Sequence, residues 1–298
     1  MKKRIGLVTV LFNSADVLPG FFQSLSRQNF DDYWLYILDN SLDNFSFEAA
    51  QAEIEKYSLN NVTLIKNSEN IGVAAANNQG IKLGLEAGCE YILILNNDIE
   101  FEDVNLFQNM MSLAEGKKEK LITPKMYFHD NGLIWCAGGE ISKLRGTVRH
   151  FGEMQSDLPQ NSITGYTEYA PTCFMLVHRE VFERIGLMDE KYFVYYDDVD
   201  FIWRSNQAGY KLLYWAEGKI SHKVSSSTGG DDSPFSIFYS NRNRVYFIRK
   251  NYSPIFKIIS LTYTLATRFL KCMKNSNSSK GLNFKKAILA GLQMPLDK

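Results

Sequence analysis

Cysteine is scarce: Cys89, Cys136, Cys173 and Cys272 are the only four in 298 residues, and no two of them form a CxxC pair. That spacing argues against a cysteine-ligated zinc module and against a disulfide framework, and it fits a reducing compartment. Long hydrophobic runs are also missing. No stretch offers about 18 uninterrupted apolar residues, since the best candidate, 255–270, is broken by Lys257 and Arg268. A membrane-spanning helix is therefore not expected. The apolar opening IGLVTVLF leads straight into NSADVLPG, with no GxGxxG to seat the pyrophosphate of a nicotinamide cofactor and no Gly-rich basic loop of the sort a nucleotidyltransferase carries. GxSxG is absent, so no nucleophile elbow is expected. Net charge is zero, with 33 basic and 33 acidic residues. There is no internal repeat and no low-complexity linker, which favours one globule.

What the chain does have is enough apolar residue, 45%, to bury a sizeable core. Short apolar runs at 5–12, 34–38, 62–65, 91–95 and 121–122 read as strands, and helix-length segments at 16–27, 47–57, 73–86 and 105–115 lie between them. This alternation predicts an α/β fold, Rossmann-like, with a mostly parallel sheet and helices on both faces. The opening MKKRIGLVTVLF reads as the first strand, not as a leader. The expected organisation is a catalytic domain at 1–238, divided into 1–122 and 123–238, followed by a basic amphipathic helical region at 239–298 broken by NSNSSKG. Sheets of this kind bind ligands beyond the C-terminal ends of their strands. Polar residues gather at three such tips: Asn13; Asp39 and Asn40; and Asn96, Asn97 and Asp98.

Three constellations carry candidate chemistry. YILILNNDI delivers two amides and a carboxylate at the end of a buried strand. A turn accounts for Asn and Asp there, and Asp98 is also a hard oxygen ligand suited to Mg²⁺ or Mn²⁺ shared with phosphate. In YFVYYDDVDFIWRSNQAGY, Asp197, Asp198 and Asp200 open a helix. A cap needs one carboxylate, so three leave room for a general base. His222, after the strand-like 211–215, would supply a second metal ligand better matched to Mn²⁺ than to Mg²⁺. His129, His150 and His178 have no comparable setting.

Taken in order, VTVLFN, ILDNSLDN, NSENIGVAAANNQGI, LILNNDI, the GLMDEKYFVYYDDVDFIWRSNQAGY block and ISH resemble glycosyltransferase family 2, of the GT-A fold, over most of residues 4–250. Within that family they are most similar to bacterial rhamnosyltransferases and galactofuranosyltransferases of cell-surface polysaccharide assembly. The resemblance implies that Thr9 and Asn13 sit near the nucleotide and that Asp39, beside Asn40, accepts the pyrimidine imide N–H. It implies that Gly72 and Asn77 lie beside the ribose and diphosphate, with Asn97 in the same tip. Asp98 takes the last position of the DxD motif, whose first position here is Asn96. Asp198 matches the catalytic base and His222, 24 residues later, the metal-ligating histidine. Tyr195, Tyr196 and Asp197 become candidates for the acceptor side. The implied reaction is metal-dependent, inverting transfer from a nucleotide-sugar, dTDP-rhamnose or a UDP-sugar, to a glycan or lipid-linked oligosaccharide. The absence of QxxRW and of spanning helices fits a non-processive enzyme.

From Tyr239 onward twelve Lys or Arg face Asp297 alone, so the remainder is net acidic and nucleic acid is not the expected partner. The basic tail, interleaved with aromatic and aliphatic residues, suits either packing on the catalytic domain or an anionic membrane surface, at the cytoplasmic face. The non-enzymatic alternative is a degenerate transferase domain, poor in metal ligands because of Asn96, that serves as a membrane-associated assembly module.

Overall fold

The computed structural model describes residues 4–223, 233–274 and 279–296. The first half runs β1 (Ile5–Leu11), α1 (Leu18–Ser26), β2 (Tyr33–Asp39), α2 (Phe45–Lys56), β3 (Val62–Lys66), α3 (Val73–Glu86), β4 (Tyr91–Leu95), β5 (Ile99–Glu100), α4 (Leu106–Lys117) and β6 (Leu121–Phe128). There follow β7 (Ile134–Cys136), β8 (Gly139–Ser142), β9 (Thr147–His150), β10 (Gly165–Thr167), β11 (Phe174–His178), α5 (Arg179–Ile185), α6 (Asp197–Gln207) and β12 (Leu212–His222). The chain ends in α7 (Pro234–Asn251), α8 (Pro254–Lys274) and α9 (Ser279–Gln293).

The main sheet has the order β10-β12-β6-β11-β4-β1-β2-β3, with β5 added to β12 and β7 to β6. β1 is parallel to β2 and β4, β2 to β3, and β12 to β6, whereas β11 and β10 run against their neighbours. The expected mostly parallel α/β sheet is the one found. β4 explains why such a strand reads as an unbroken apolar run: it lies between β1 and β11, and all five of its residues are buried. α3 packs on β1 and β2 so closely that a Cβ at Gly80 would lie 2.5 Å from Val8 Cγ1, and glycine is what permits that distance.

Two strands run longer than the sequence suggests. β6 continues past Ile122 through Thr123 and Lys125, both buried. Lys125 is tolerated there because its Nζ is held by Asp157 at 2.8 Å and by Ser162 at 3.1 Å. β12 continues past Trp215 to His222 by pairing with the extended β6, across an irregularity between Trp215 and Lys219.

The larger of two core clusters among the described residues runs from Ile5 to Tyr252 and includes Tyr246, Phe247 and Ile248 of α7. Residue 239 thus lies inside a helix that belongs to the core. Of the NSNSSKG break, residues 275–278 lie outside the described residues, as does Asp297. Among the described residues no helix is long and apolar enough to cross a membrane.

Candidate active site

Parallel β1, β2 and β4 end side by side at the mouth of a cavity of about 1030 Å³. Ten of the residues singled out in the sequence line it: Asn40, Gly72, Asn77, Asn96, Asn97, Asp98, Tyr195, Asp197, Asp198 and His222. The other four do not. Thr9 is fully buried in β1 and Asn13 is exposed, with its backbone N–H donating to Ser41 Oγ at 2.9 Å. Asp39 is sealed beneath the surface: its Oδ1 accepts the Ser41 N–H and its Oδ2 is paired with Lys66 Nζ at 2.8 Å. In this structure its carboxylate fixes the turn rather than facing the cavity, because both oxygens are already engaged. Tyr196 turns away as well, its hydroxyl donating to the Gly146 carbonyl at 2.7 Å.

Asp98 and His222, 124 positions apart in sequence, meet through strand register. β5 pairs antiparallel with the end of β12, setting His222 opposite Ile99. His222 Nε2 consequently stands 3.0 Å from Asp98 Oδ1, with Asn96 Nδ2 at 3.5 Å from the same nitrogen. The other ring nitrogen, Nδ1, is buried with no hydrogen-bond partner among the described residues. Among the described residues there is no group of three His, Cys, Asp or Glu side chains that would enclose a metal by themselves. One carboxylate and one imidazole side by side do fit a divalent cation that takes its remaining ligands from phosphate oxygens and water, as Mg²⁺ and Mn²⁺ usually do. Asn97 is spent differently, its amide tying β4 to the Val10 carbonyl at 2.6 Å.

The acidic helix start is delivered by a strained turn. Phe193, Tyr195 and Tyr196 have φ of 61°, 62° and 69°, a left-handed region that side-chain-bearing residues adopt only when their surroundings impose it. α7 imposes it here. The Asn243 amide, fully buried, donates to the carbonyls of Tyr192, Val194 and Tyr195 at 2.8, 2.7 and 2.9 Å, and Arg242 Nη2 donates to those of Lys191 and Tyr192. From the other side Gly72, at φ 87°, presses against the Phe193 backbone, and Val73 N–H donates to the Phe193 carbonyl at 2.6 Å. An added Cβ at Gly72 would lie 2.8 Å from the Phe193 carbonyl oxygen, so glycine is what lets α3 start against this turn.

The three acids then part. Asp200 is fully buried and accepts from the Tyr192 hydroxyl, Arg204 Nε, Lys250 Nζ and Asn251 Nδ2, so it belongs to the scaffold. Asp197 and Asp198 remain on the cavity wall. The Tyr169 hydroxyl donates to Asp198 Oδ2 and the Val199 N–H to Oδ1. Burial pushes the Asp198 carboxyl above its ordinary range, partly opposed by these two donors. Burial, and then the Asp198 charge, push Asp197 from 3.8 up to about 7. Between those two values the folded chain keeps a proton that the unfolded chain has released, so stability falls as pH rises from about 4 to about 7. We expect Asp197→Asn to be more stable than the parent at pH 8, by on the order of 2–4 kcal/mol, with no such gain at pH 4. Urea unfolding at the two pH values measures the difference, and equal stabilities at pH 8 would contradict it.

Residues 7–186 match glycosyl transferase family 2. The chain belongs to this family. It is 26% identical over 285 residues to the dTDP-rhamnosyl transferase RfbF of Shigella flexneri, covering 90% of each chain. It is 24% identical over 246 residues to the N-acetylglucosaminyl-diphospho-decaprenol L-rhamnosyltransferase of Mycobacterium tuberculosis, covering 76% of this chain and 78% of that one. Among solved structures, the Pyrobaculum calidifontis mannosyltransferase PcManGT, in complex with GDP-Man and Mn²⁺, superposes with a TM-score of 0.60 at 14% identity, over 99% of this chain and 77% of that one. GalNAc-T7, with UDP, GalNAc and Mn²⁺, gives 0.63 at 15% identity, over 83% and 48%. Both likenesses concern the fold, which is GT-A.

The glycosyltransferase cavity also contains residues that the sequence does not point to. His150, without a notable setting in the sequence, lines it with its ring stacked on Tyr169 at 5.9 Å and 19° and its Nδ1 3.2 Å from the Trp135 carbonyl. Trp135 lies between the two histidines, 5.1 Å from His150 and 4.6 Å from His222. Burial lowers the pKa of His150, while the Asp198 charge acts in the opposite sense. Tyr169, His150 and Trp135 come from short antiparallel pieces with no strong local pattern, and of the three only Trp135 falls in the Gly- and aromatic-containing WCAGGEIS.

Proposed function

We propose that this glycosyltransferase moves a sugar, with inversion, from a nucleotide-diphosphate sugar to a hydroxyl of a glycan acceptor, with Asp198 as the base. One observation carries the reading: Asp198 and the Asp98–His222 pair, contributed by different parts of the chain, line the same cavity. Each Asp198 oxygen accepts one hydrogen bond and keeps a second lone pair for an incoming proton. The acceptor O–H gives its proton to Asp198 as its oxygen bonds to the anomeric carbon, while the bond from that carbon to the diphosphate breaks and its electron pair leaves with the nucleotide. The Tyr169 hydroxyl holds the carboxylate in place and Asn243 fixes the turn that presents it. On the donor side Asn40, Asn77 and Asn96 supply amides, Asn97 steadies the strand tip that carries them, and Asp39 shapes the base end through Ser41 and Lys66. Asp98 and His222 would hold Mn²⁺ or Mg²⁺, which supplies positive charge to offset that on the departing diphosphate.

The donor we favour is dTDP-rhamnose, ahead of a UDP-sugar, and the acceptor a lipid-linked oligosaccharide of surface polysaccharide synthesis, reached from the inner face of the cell membrane. The relatives' names support this assignment. A screen of nucleotide-diphosphate release across UDP-, dTDP- and GDP-sugars tests it without an acceptor. Release should be fastest with dTDP-rhamnose and Mn²⁺. No release and no shift in melting temperature with any donor would favour the assembly module instead.

The metal assignment has its own test. His222→Ala should weaken Mn²⁺-dependent binding of dTDP by about 10-fold or more and leave binding of thymidine nearly unchanged, as read by calorimetry. Equal losses for the two ligands would sink the assignment.

A further inference from the structure

Where α7 meets α8 the protein buries a cation with no counter-charge paired to it among the described residues. Arg244 is 4% exposed, its Nε is fully enclosed, and its guanidinium makes no hydrogen bond or ion pair with any described residue. Three hydroxyls share the condition: Tyr252 Oη, Ser260 Oγ and Thr264 Oγ1 are all buried without a partner among the described residues. Helical spacing puts these groups on facing surfaces. Arg244 and Ile248 stand at i and i+4 on α7, with Tyr252 just past its end, and Ser260, Thr264 and Arg268 follow one another at i, i+4 and i+8 on α8. The two surfaces converge on Gly146, in the turn between β8 and β9, where an added Cβ would lie 2.7 Å from Ile248 Cδ1 and 3.5 Å from Ser260 Oγ. The charge of Arg268 adds to that of Arg244.

A guanidinium stays protonated even when burial disfavours its charge, and an uncompensated buried ion is strongly unfavourable. Such a group calls for an anion. A planar fork of N–H donors beside hydroxyl donors suits the tetrahedral oxygens of a phosphoryl group. We propose that the α7–α8 junction is a phosphoryl-binding site, formed by Arg244 with Tyr252, Ser260 and Thr264. None of the four lines the donor cavity, so this is a second site. It is coupled to the first through Gly146, whose carbonyl accepts from Tyr196, the residue before Asp197. The other side of α8 exposes Ile255, Ile258, Phe269 and Leu270, which would suit a phosphoryl group carried by a lipid as well as a free one.

The test follows the melting temperature of the full chain in metal-free buffer, with inorganic phosphate and then with phosphatidylcholine vesicles containing or lacking phosphatidic acid. The parent should gain several degrees, and Arg244→Met none. The variant should be no less stable than the parent without phosphate, because an apolar chain replaces an unpaired buried charge. A shift with free phosphate makes the ligand a small anion, and a shift only with phosphatidic acid makes it a lipid headgroup. No shift in the parent under any condition, or equal shifts in parent and variant, overturns the proposal. If Arg244→Met fails to fold, Ser260→Ala with Thr264→Val replaces it, with the same loss expected. A shift with dTDP and Mn²⁺ that survives in Arg244→Met keeps this question separate from the donor site.

Discussion

Asp198→Asn is expected to lower kcat by about 10³-fold, within the range a positioned general base contributes, while dTDP binding and melting temperature change little. The amide oxygen can keep the Val199 N–H, and the Nδ2 group that replaces the other oxygen can donate to the Tyr169 hydroxyl oxygen once that hydroxyl rotates, so the turn keeps its shape, but an amide has no basicity with which to receive the acceptor's proton. The parent's pH profile should agree. Because burial raises the Asp198 carboxyl, the base form accumulates only above the ordinary carboxylate range, and kcat/KM should climb through that pH and then level off. Removing the 198 charge also removes a cause of the elevated Asp197 value, so the titration of Asp197 should move down in the variant. Turnover within a few-fold of the parent would exclude Asp198 as the base.

Asp200→Ala, two positions along the same helix, should do the opposite. It removes the acceptor shared by Arg204, Lys250, Asn251 and the Tyr192 hydroxyl, all at 2.7–3.1 Å from a fully buried carboxylate. Lys250 keeps Asp189 at 2.8 Å, but one carboxylate no longer balances Lys250 and Arg204 together. Breaking a buried pair from one side costs about 3–5 kcal/mol, and denaturant unfolding should show a loss of that size. The remaining folded protein should bind dTDP normally. A loss below about 1 kcal/mol, the scale of a surface ion pair, would mean that the network is not what seats α6. The two substitutions should thus separate the proposed chemistry at Asp198 from the scaffold role of Asp200 within one four-residue cluster.

Local pattern was enough for the parallel part of the sheet and for the strand tips that open on the cavity. β4 and α3 fall where their residues predict, because a strand covered on both faces must be apolar throughout and a helix that packs tightly on a sheet must repeat its small and apolar residues at helical spacing. The polar tips of parallel strands announce a site for the same reason: a buried strand gives up its apolar character only where it leaves the core. Side chains that owe their positions to distant partners were not legible. β12 reaches His222 only because β6 and β5 pair with it. Asp39 faces Lys66 rather than the cavity because β3 lies beside β2 in register. His150, Tyr169 and Trp135 meet across short antiparallel pieces, and Asn243 reaches back 48–51 positions to hold the turn before the acids. The sequence by itself determined which residues had to be buried and where buried strands would end. Only the folded chain decided which carboxylate faces the cavity and which is locked in the scaffold, because that choice depends on hydrogen bonds between residues that share no local periodicity.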